Sequence, residues 1–268
     1  MIAKPFAKWV DLHWTGGALK DTWGALRWQE DWETAVPIPA GLDGSWRDQA
    51  EIPIRVAHAL GASGQPGANT LAALDLAAQD GFHLFEVDLW LDPAGELRCQ
   101  HNDETALPLA TGDCTLARLL PRVASLGGWV VLDIKSDFEQ TGNAVLQLLR
   151  SNGLASRVVF QLYRAHELRL FSKWARQAAL AEPLVTSYAS HRSVQHIADH
   201  ARALNVRVMT LPLSDMPMLT RRPEGLTILV HPVHDCEDWA RARKDRTAGI
   251  YTLTGLRCGA WAKPDSQP

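Results

Sequence analysis

A chain of 268 residues, 46% hydrophobic and 21% charged, is long enough to bury a large core and too apolar to be disordered. Its net charge of -3 offers no basic field to a nucleic acid, and no stretch approaches the roughly 20 apolar residues of a membrane helix. The opening "MIAKPFAKWVDLHW" lacks the apolar run of a secretory signal, so a soluble, cytoplasmic protein is expected, or a secreted or periplasmic one if a leader was removed; the oligomeric state is open.

Residues 1–51 hold six of the 11 tryptophans: Trp9, Trp14, Trp23, Trp28, Trp32 and Trp46. Leu19, Trp23 and Leu26 fall at helical spacing, which predicts an amphipathic helical extension packed on the unit that follows. A lipid or glycan contact is the functional alternative, because tryptophan suits surfaces that are apolar on one side and wet on the other. From residue 52 to 268, strand-like and helix-like segments alternate. The strand-like ones are "IPIRVAHAL", "HLFEVDLWL", "GWVVLDIK", "SRVVFQLY", "EPLVTSY", "VRVMTLP", "LTILVHPV" and "AGIYTLT", with "ELRCQHN" as an added hairpin strand. Eight principal strands, each separated by a crossover long enough for parallel pairing, predict an α/β fold, a (β/α)8 TIM barrel with a tryptophan-rich N-terminal extension. The alternative is a doubly wound sheet, but no glycine-rich phosphate loop follows the first strand. The four cysteines, Cys99, Cys114, Cys236 and Cys258, show neither a CxxC pair nor zinc-type spacing; they could make two disulfides, but at this length the core does not need them, and free structural thiols are expected.

Barrel chemistry sits at the C-terminal mouths of the strands. Strand alternation puts Glu86 and Asp88 on one face, inward if Val87 and Leu89 face the helices, and Asp133 and Lys135 repeat the arrangement at the end of "VVLDIK". Buried charges at such density need compensation, which a divalent cation and a phosphate would supply. Three carboxylates are a plausible half-shell for Mg²⁺ or Ca²⁺. His58 ends the first strand and His101 lies in "CQHND"; two histidines beside an acidic cluster can act as general base and general acid. Gln161 and Tyr163 alternate inward on "SRVVFQLY" and are pocket candidates, with plain barrel packing as the alternative. Trp90 shares the face of Glu86 and Asp88 and either walls the site or packs at the mouth. For His231, His234 and Asp235, a substrate-facing and a loop-stabilising role weigh equally.

The segments "AHALGASG", "ANTLAALDLAAQDGFHLFEVDLWLD", "LRCQHND", "LDIK" and "HPVHDCEDW" followed by "GIYTLT" resemble the glycerophosphodiester phosphodiesterase family and its relatives, which include the spider-toxin phospholipase D enzymes. The resemblance spans about residues 54 to 257, and its ordered His, Glu-x-Asp, His and Asp-x-Lys is more specific than any single piece. It implies His58 and His101 as the catalytic pair, Glu86, Asp88 and Asp133 as metal ligands, and Lys135 as a phosphate-positioning residue. It also implies a small or lipid-derived phosphodiester as substrate. Many members carry Glu at the position of Asp133, so the Asp-x-Lys form looks more like the toxin branch. Ala59 stands where the family has a phosphate-binding arginine, and Gly67-Ala68 replaces Pro-Glu before Asn69-Thr70. A catalytically silent phosphate-binding barrel and an unrelated barrel enzyme acting on carbonyl substrates are the alternatives.

Overall fold

The computed structural model describes residues 32, 35–48, 53–101, 114–189 and 193–259. Nine strands form one sheet: β1 (Ile54–Ala57), β2 (Leu84–Leu91), β3 (Leu97–Cys99), β4 (Trp129–Ile134), β5 (Val158–Leu162), β6 (Leu184–Thr186), β7 (Val208–Pro212), β8 (Thr227–Val233) and β9 (Gly249–Thr252). Their order is β1-β9-β8-β7-β6-β5-β4-β2-β3, and a parallel β1–β2 pairing closes eight of them into a barrel. β3 stays outside as an antiparallel hairpin partner of β2. The expected TIM barrel is therefore the observed fold.

Strand alternation sorts the side chains into two cores. Ile54, Val56, Leu84, Trp129, Val131, Val159, Leu184, Val208, Leu229 and Tyr251 fill the interior. Val87, Leu89, Val130, Leu132, Phe160, Val185, Met209, Val230 and Ile250 face the surrounding helices. Several of those helices begin where polar side chains cap free backbone amides. Thr70 Oγ1 accepts from Ala73 N ahead of Leu71–Gln79, Asp137 caps Phe138–Asn152, and Asp235 accepts from Glu237 N and Asp238 N ahead of Cys236–Lys244.

The N-terminal residues that are described contribute directly to this core. Trp46, in the short helix Ser45–Asp48, is fully buried within the inner cluster, and its Nε1 donates to the Glu182 carbonyl at 2.9 Å. Trp32 is buried among the outer-core residues. The helix predicted over Leu19 to Leu26, and Trp9, Trp14, Trp23 and Trp28, lie outside the described residues. Among the described residues, no helix is long and apolar enough to cross a membrane.

The cysteine expectation is corrected. Cys99 pairs with Cys114, and Cys236 with Cys258, which leaves no free thiol. Core size gave no reason for such bonds, but local backbone pairing brings the partners together. Cys99 N donates to Cys114 O at 3.0 Å, beside an antiparallel bridge between Arg98 and Thr115, so the two cysteines end up opposite each other.

Candidate active site

β1, β2 and β4 lie side by side, and their C-terminal ends bring the predicted groups together. Asp88 and Asp133 are direct ladder partners across β2 and β4. Glu86, Asp88 and Asp133 are all buried, and one oxygen of each lies within 4.8 Å of the others. Each carboxylate is anchored by hydrogen bonds from the protein. Glu86 Oε2 accepts from Ala59 N at 2.6 Å, and Asp88 Oδ2 accepts from Asn69 Nδ2 at 2.8 Å while Asp88 N donates back to Asn69 Oδ1 at 3.1 Å. Asp133 Oδ2 accepts from Lys135 Nζ at 2.8 Å, Tyr163 OH at 2.7 Å and Gln161 Nε2 at 3.1 Å. Asp133 Oδ1 is sealed from solvent with no hydrogen-bond partner among the described residues. A buried carboxylate oxygen left in that state is costly unless a cation takes it.

The electrostatics carry the same tension. Burial, reinforced by Asp88 and Asp133, pushes the Glu86 carboxyl well above the usual range. Burial alone would depress the Lys135 ammonium, but Asp133 and Asp88, the latter with Oδ1 3.2 Å from Nζ, hold it above its ordinary value. The three acids thus meet one ammonium, and a divalent ion fits the remaining negative charge.

His58 follows β1 directly. The chain turns there through left-handed backbone at Ala59 (φ 48°) and Leu60 (φ 60°), unusual for residues with a Cβ, and this turn aims Ala59 N at Glu86. His58 is half-buried as a residue, yet its Nδ1 is sealed and has no partner among the described residues; burial lowers its pKa to about 4. Its ring lies 5.6 Å from that of His234 and 5.9 Å from that of Tyr251. His101 is exposed, two residues beyond Cys99, and within electrostatic reach of His58. Trp90 continues the inward face of β2, half-buried, opposite Arg98 of β3.

The far wall holds residues that the motif order did not single out. Tyr251 of β9 donates to Gln161 Oε1 at 2.9 Å, and Tyr188, just past β6, stacks on Tyr163 with 6.2 Å between ring centres. Burial raises all three phenols, Tyr188 to about 12. Tyr251 sits at an inward position of the last strand, so alternation alone could have found it. Asn69 stands in the sequence only as the retained half of a family motif, and periodicity gives no signal for it, because its role depends on a left-handed turn (φ 58°) ahead of the helix.

His231 and His234 both face the mouth because β8 bulges between them. Val230 pairs with Ile250, but Val233 pairs with Thr252, so β8 carries one residue more than β9 across this step. His234 thereby reaches His58, and its pKa is lowered by burial.

A scan against protein-family models finds no match, and a search of curated proteins finds none either. Solved structures do match. The glycerophosphodiester phosphodiesterase of Parabacteroides distasonis is 15% identical with a TM-score of 0.57, covering 76% of this chain and 94% of its own. A phosphodiesterase of Oleispira antarctica, solved with the product sn-glycerol-3-phosphate, is 18% identical with a TM-score of 0.57, covering 75% and 93%. The glycerophosphodiester phosphodiesterase of Thermotoga maritima is 18% identical with a TM-score of 0.55, covering 75% and 95%. Over nearly the full length of those enzymes, this chain has the fold of the glycerophosphodiester phosphodiesterase barrels.

Proposed function

We propose that the barrel is a divalent-cation-dependent phosphodiesterase acting on a glycerophosphodiester or a lysophospholipid-like diester. The observation that carries this reading is the carboxylate cluster: three buried acids with one oxygen of each within 4.8 Å of the others, and Asp133 Oδ1 left without a hydrogen-bond partner among the described residues. Glu86, Asp88 and Asp133 would hold Mg²⁺ or Ca²⁺, which when bound supplies charge neutralisation for the phosphoryl oxygens. Neutral at pH 7, His58 accepts the proton of the attacking hydroxyl, belonging either to the substrate itself or to water. As the new oxygen–phosphorus bond forms and the leaving oxygen–phosphorus bond breaks, His101 at the exposed rim returns a proton to the departing alcohol. Attack by the substrate's own hydroxyl yields a cyclic phosphate, and attack by water yields a monoester. Lys135 orients the phosphate from between Asp88 and Asp133, while Gln161 and Tyr163 keep Asp133 in place.

The two disulfides favour an oxidising compartment, which is the secreted or periplasmic alternative rather than the cytoplasmic one.

The test is ³¹P NMR of the protein with Mg²⁺ or Ca²⁺ and a panel of glycerophospho-, lysophospho- and inositol-phosphodiesters. A cyclic-phosphate or monoester signal is expected, and it should vanish in His58→Ala and in Glu86→Ala/Asp88→Ala. Cation binding with no turnover of any diester would leave the silent phosphate-binding barrel instead.

A further inference from the structure

His231 sits on the inward face of β8, across the mouth from the carboxylates, between Tyr188 (5.5 Å between ring centres) and Tyr251 (5.8 Å). Its Nδ1 is 3.0 Å from Thr210 Oγ1 on neighbouring β7. Its Nε2 is sealed from solvent and has no partner among the described residues.

Thr210 is fully buried and its hydroxyl bonds to His231 alone among the described residues. If Nδ1–H donates to Oγ1, the threonine hydrogen and the Nε2 lone pair are left over; if Thr210 donates to Nδ1, Nε2–H and the Oγ1 lone pairs are left over. Each arrangement strands one donor and one acceptor, and a ligand at Nε2 selects between them: an anionic oxygen there favours the second, with Nε2 a neutral N–H donor. Lys135 and His58 lie within electrostatic reach of the ring, which suits an anion at that position.

The geometry points to His231 as a phosphate-binding residue, whose Nε2–H donates to an anionic phosphate oxygen of the ligand, opposite the oxygens turned towards the carboxylate cluster. The inference rests on the phosphodiester reading above for its ligand class. It also gives the mouth an anion donor where position 59 offers only an alanine, whose backbone N–H is already committed to Glu86. Ligand entry displaces the half-buried Tyr188 ring that lies edge-on against His231.

The experiment uses ¹⁵N-histidine-labelled full chain with Mg²⁺ at neutral pH and inorganic phosphate as probe. With phosphate bound, the His231 ring should show the Nε2–H tautomer, and its Nε2 resonance should move saturably as phosphate is added, with glycerol causing no such shift. By calorimetry, His231→Phe should weaken phosphate binding about tenfold, the worth of one hydrogen bond, and His231→Asn should recover part of it, with cation affinity unchanged in both. An Nδ1–H tautomer with phosphate bound, a shift produced equally by glycerol, or wild-type phosphate affinity in a folded His231→Phe protein would overturn the assignment. None of these readings needs turnover, so a protein that binds phosphate at His231 yet cleaves no diester would sink the enzyme reading alone. Diester cleavage with an unmoved His231 would sink this inference alone.

Discussion

Asn69 shows how much one side chain can organise at this site. It holds both ends of Asp88, donating to Oδ2 and accepting from the backbone N, while its own backbone stands in the left-handed region at φ 58°. Asparagine tolerates that conformation better than most residues with a Cβ, so the position asks for asparagine twice. Replacing it separates the two demands. Asn69→Gly keeps the backbone relaxed and removes only the hydrogen bonds, whereas Asn69→Ala adds about 1 kcal/mol or more of conformational cost. Both variants should bind Mg²⁺ or Ca²⁺ at least tenfold more weakly, as expected when a partner that orients a metal ligand is lost, and Asn69→Ala should be the less stable of the two. Calorimetric titration and denaturant melts check this; unchanged cation affinity in Asn69→Gly would remove Asn69 from the site. The sequence exposed Glu86, Asp88 and Asp133 because strand alternation is a strict rule. It did not expose the part played by Asn69, Ala59 N or Tyr188, because turn geometry and cross-barrel contacts leave no periodic trace.

At the scale of elements, His101 lies in a segment whose two ends, Cys99 and Cys114, are covalently joined. β3 runs into Cys99, the chain returns at Cys114 to start Leu116–Ser125, and the bond between them spans 15 positions. His101 thus hangs two residues from a covalent anchor. Closing a loop of this length stabilises a fold by about 3 kcal/mol in the chain-entropy account. Cys99→Ser/Cys114→Ser should therefore lower the unfolding free energy by up to about 3 kcal/mol, read as a lower denaturant midpoint. It should also cut kcat more than cation affinity, because the carboxylates are fixed by the β2–β4 ladder and by their own hydrogen bonds to Ala59, Asn69 and Lys135, whereas His101 follows Cys99 after one residue. Thiol counting on the native protein should return none; four titratable thiols, or a variant with native stability and kcat, would show that the bond is dispensable. The strands themselves were legible from alternation and flanking turns, but their ends were not. β1 stops at Ala57 although "RVAHAL" stays apolar beyond it, because the left-handed turn at Ala59 and Leu60 breaks the ladder. The cysteine pairing escaped for a related reason: it depends on a hairpin strand folding back to meet a helix start, a contact that spacing in the chain does not encode.

Across the whole molecule, the carboxylate cluster sets stability against function. Glu86, Asp88 and Asp133 share a buried corner with Lys135 as the one ammonium in contact among the described residues, so the cation-free fold carries uncompensated negative charge. Glu86 responds to it most. Its carboxyl is raised far above its ordinary 4.5, first by burial and then by Asp88 and Asp133. The folded state therefore holds this proton more tightly than the unfolded one. The penalty is absent below about pH 4.5 and grows as pH rises from there through the folded-state value. Glu86→Gln, whose amide oxygen can still accept from Ala59 N, should raise the cation-free Tm at neutral pH, with the advantage shrinking as pH falls towards 4.5. A divalent ion relieves the same strain in the wild type. At a concentration of 100 times its Kd it should stabilise the fold by about 2.7 kcal/mol, roughly 5 °C in Tm for a chain of this size. Glu86→Gln should lose most of that rise. Thermal melts with and without Mg²⁺ or Ca²⁺, across pH, put both halves to the test. If the cation left the wild-type Tm unchanged, or if Glu86→Gln kept the full increment, the cluster would be a structural feature of the barrel rather than a metal site.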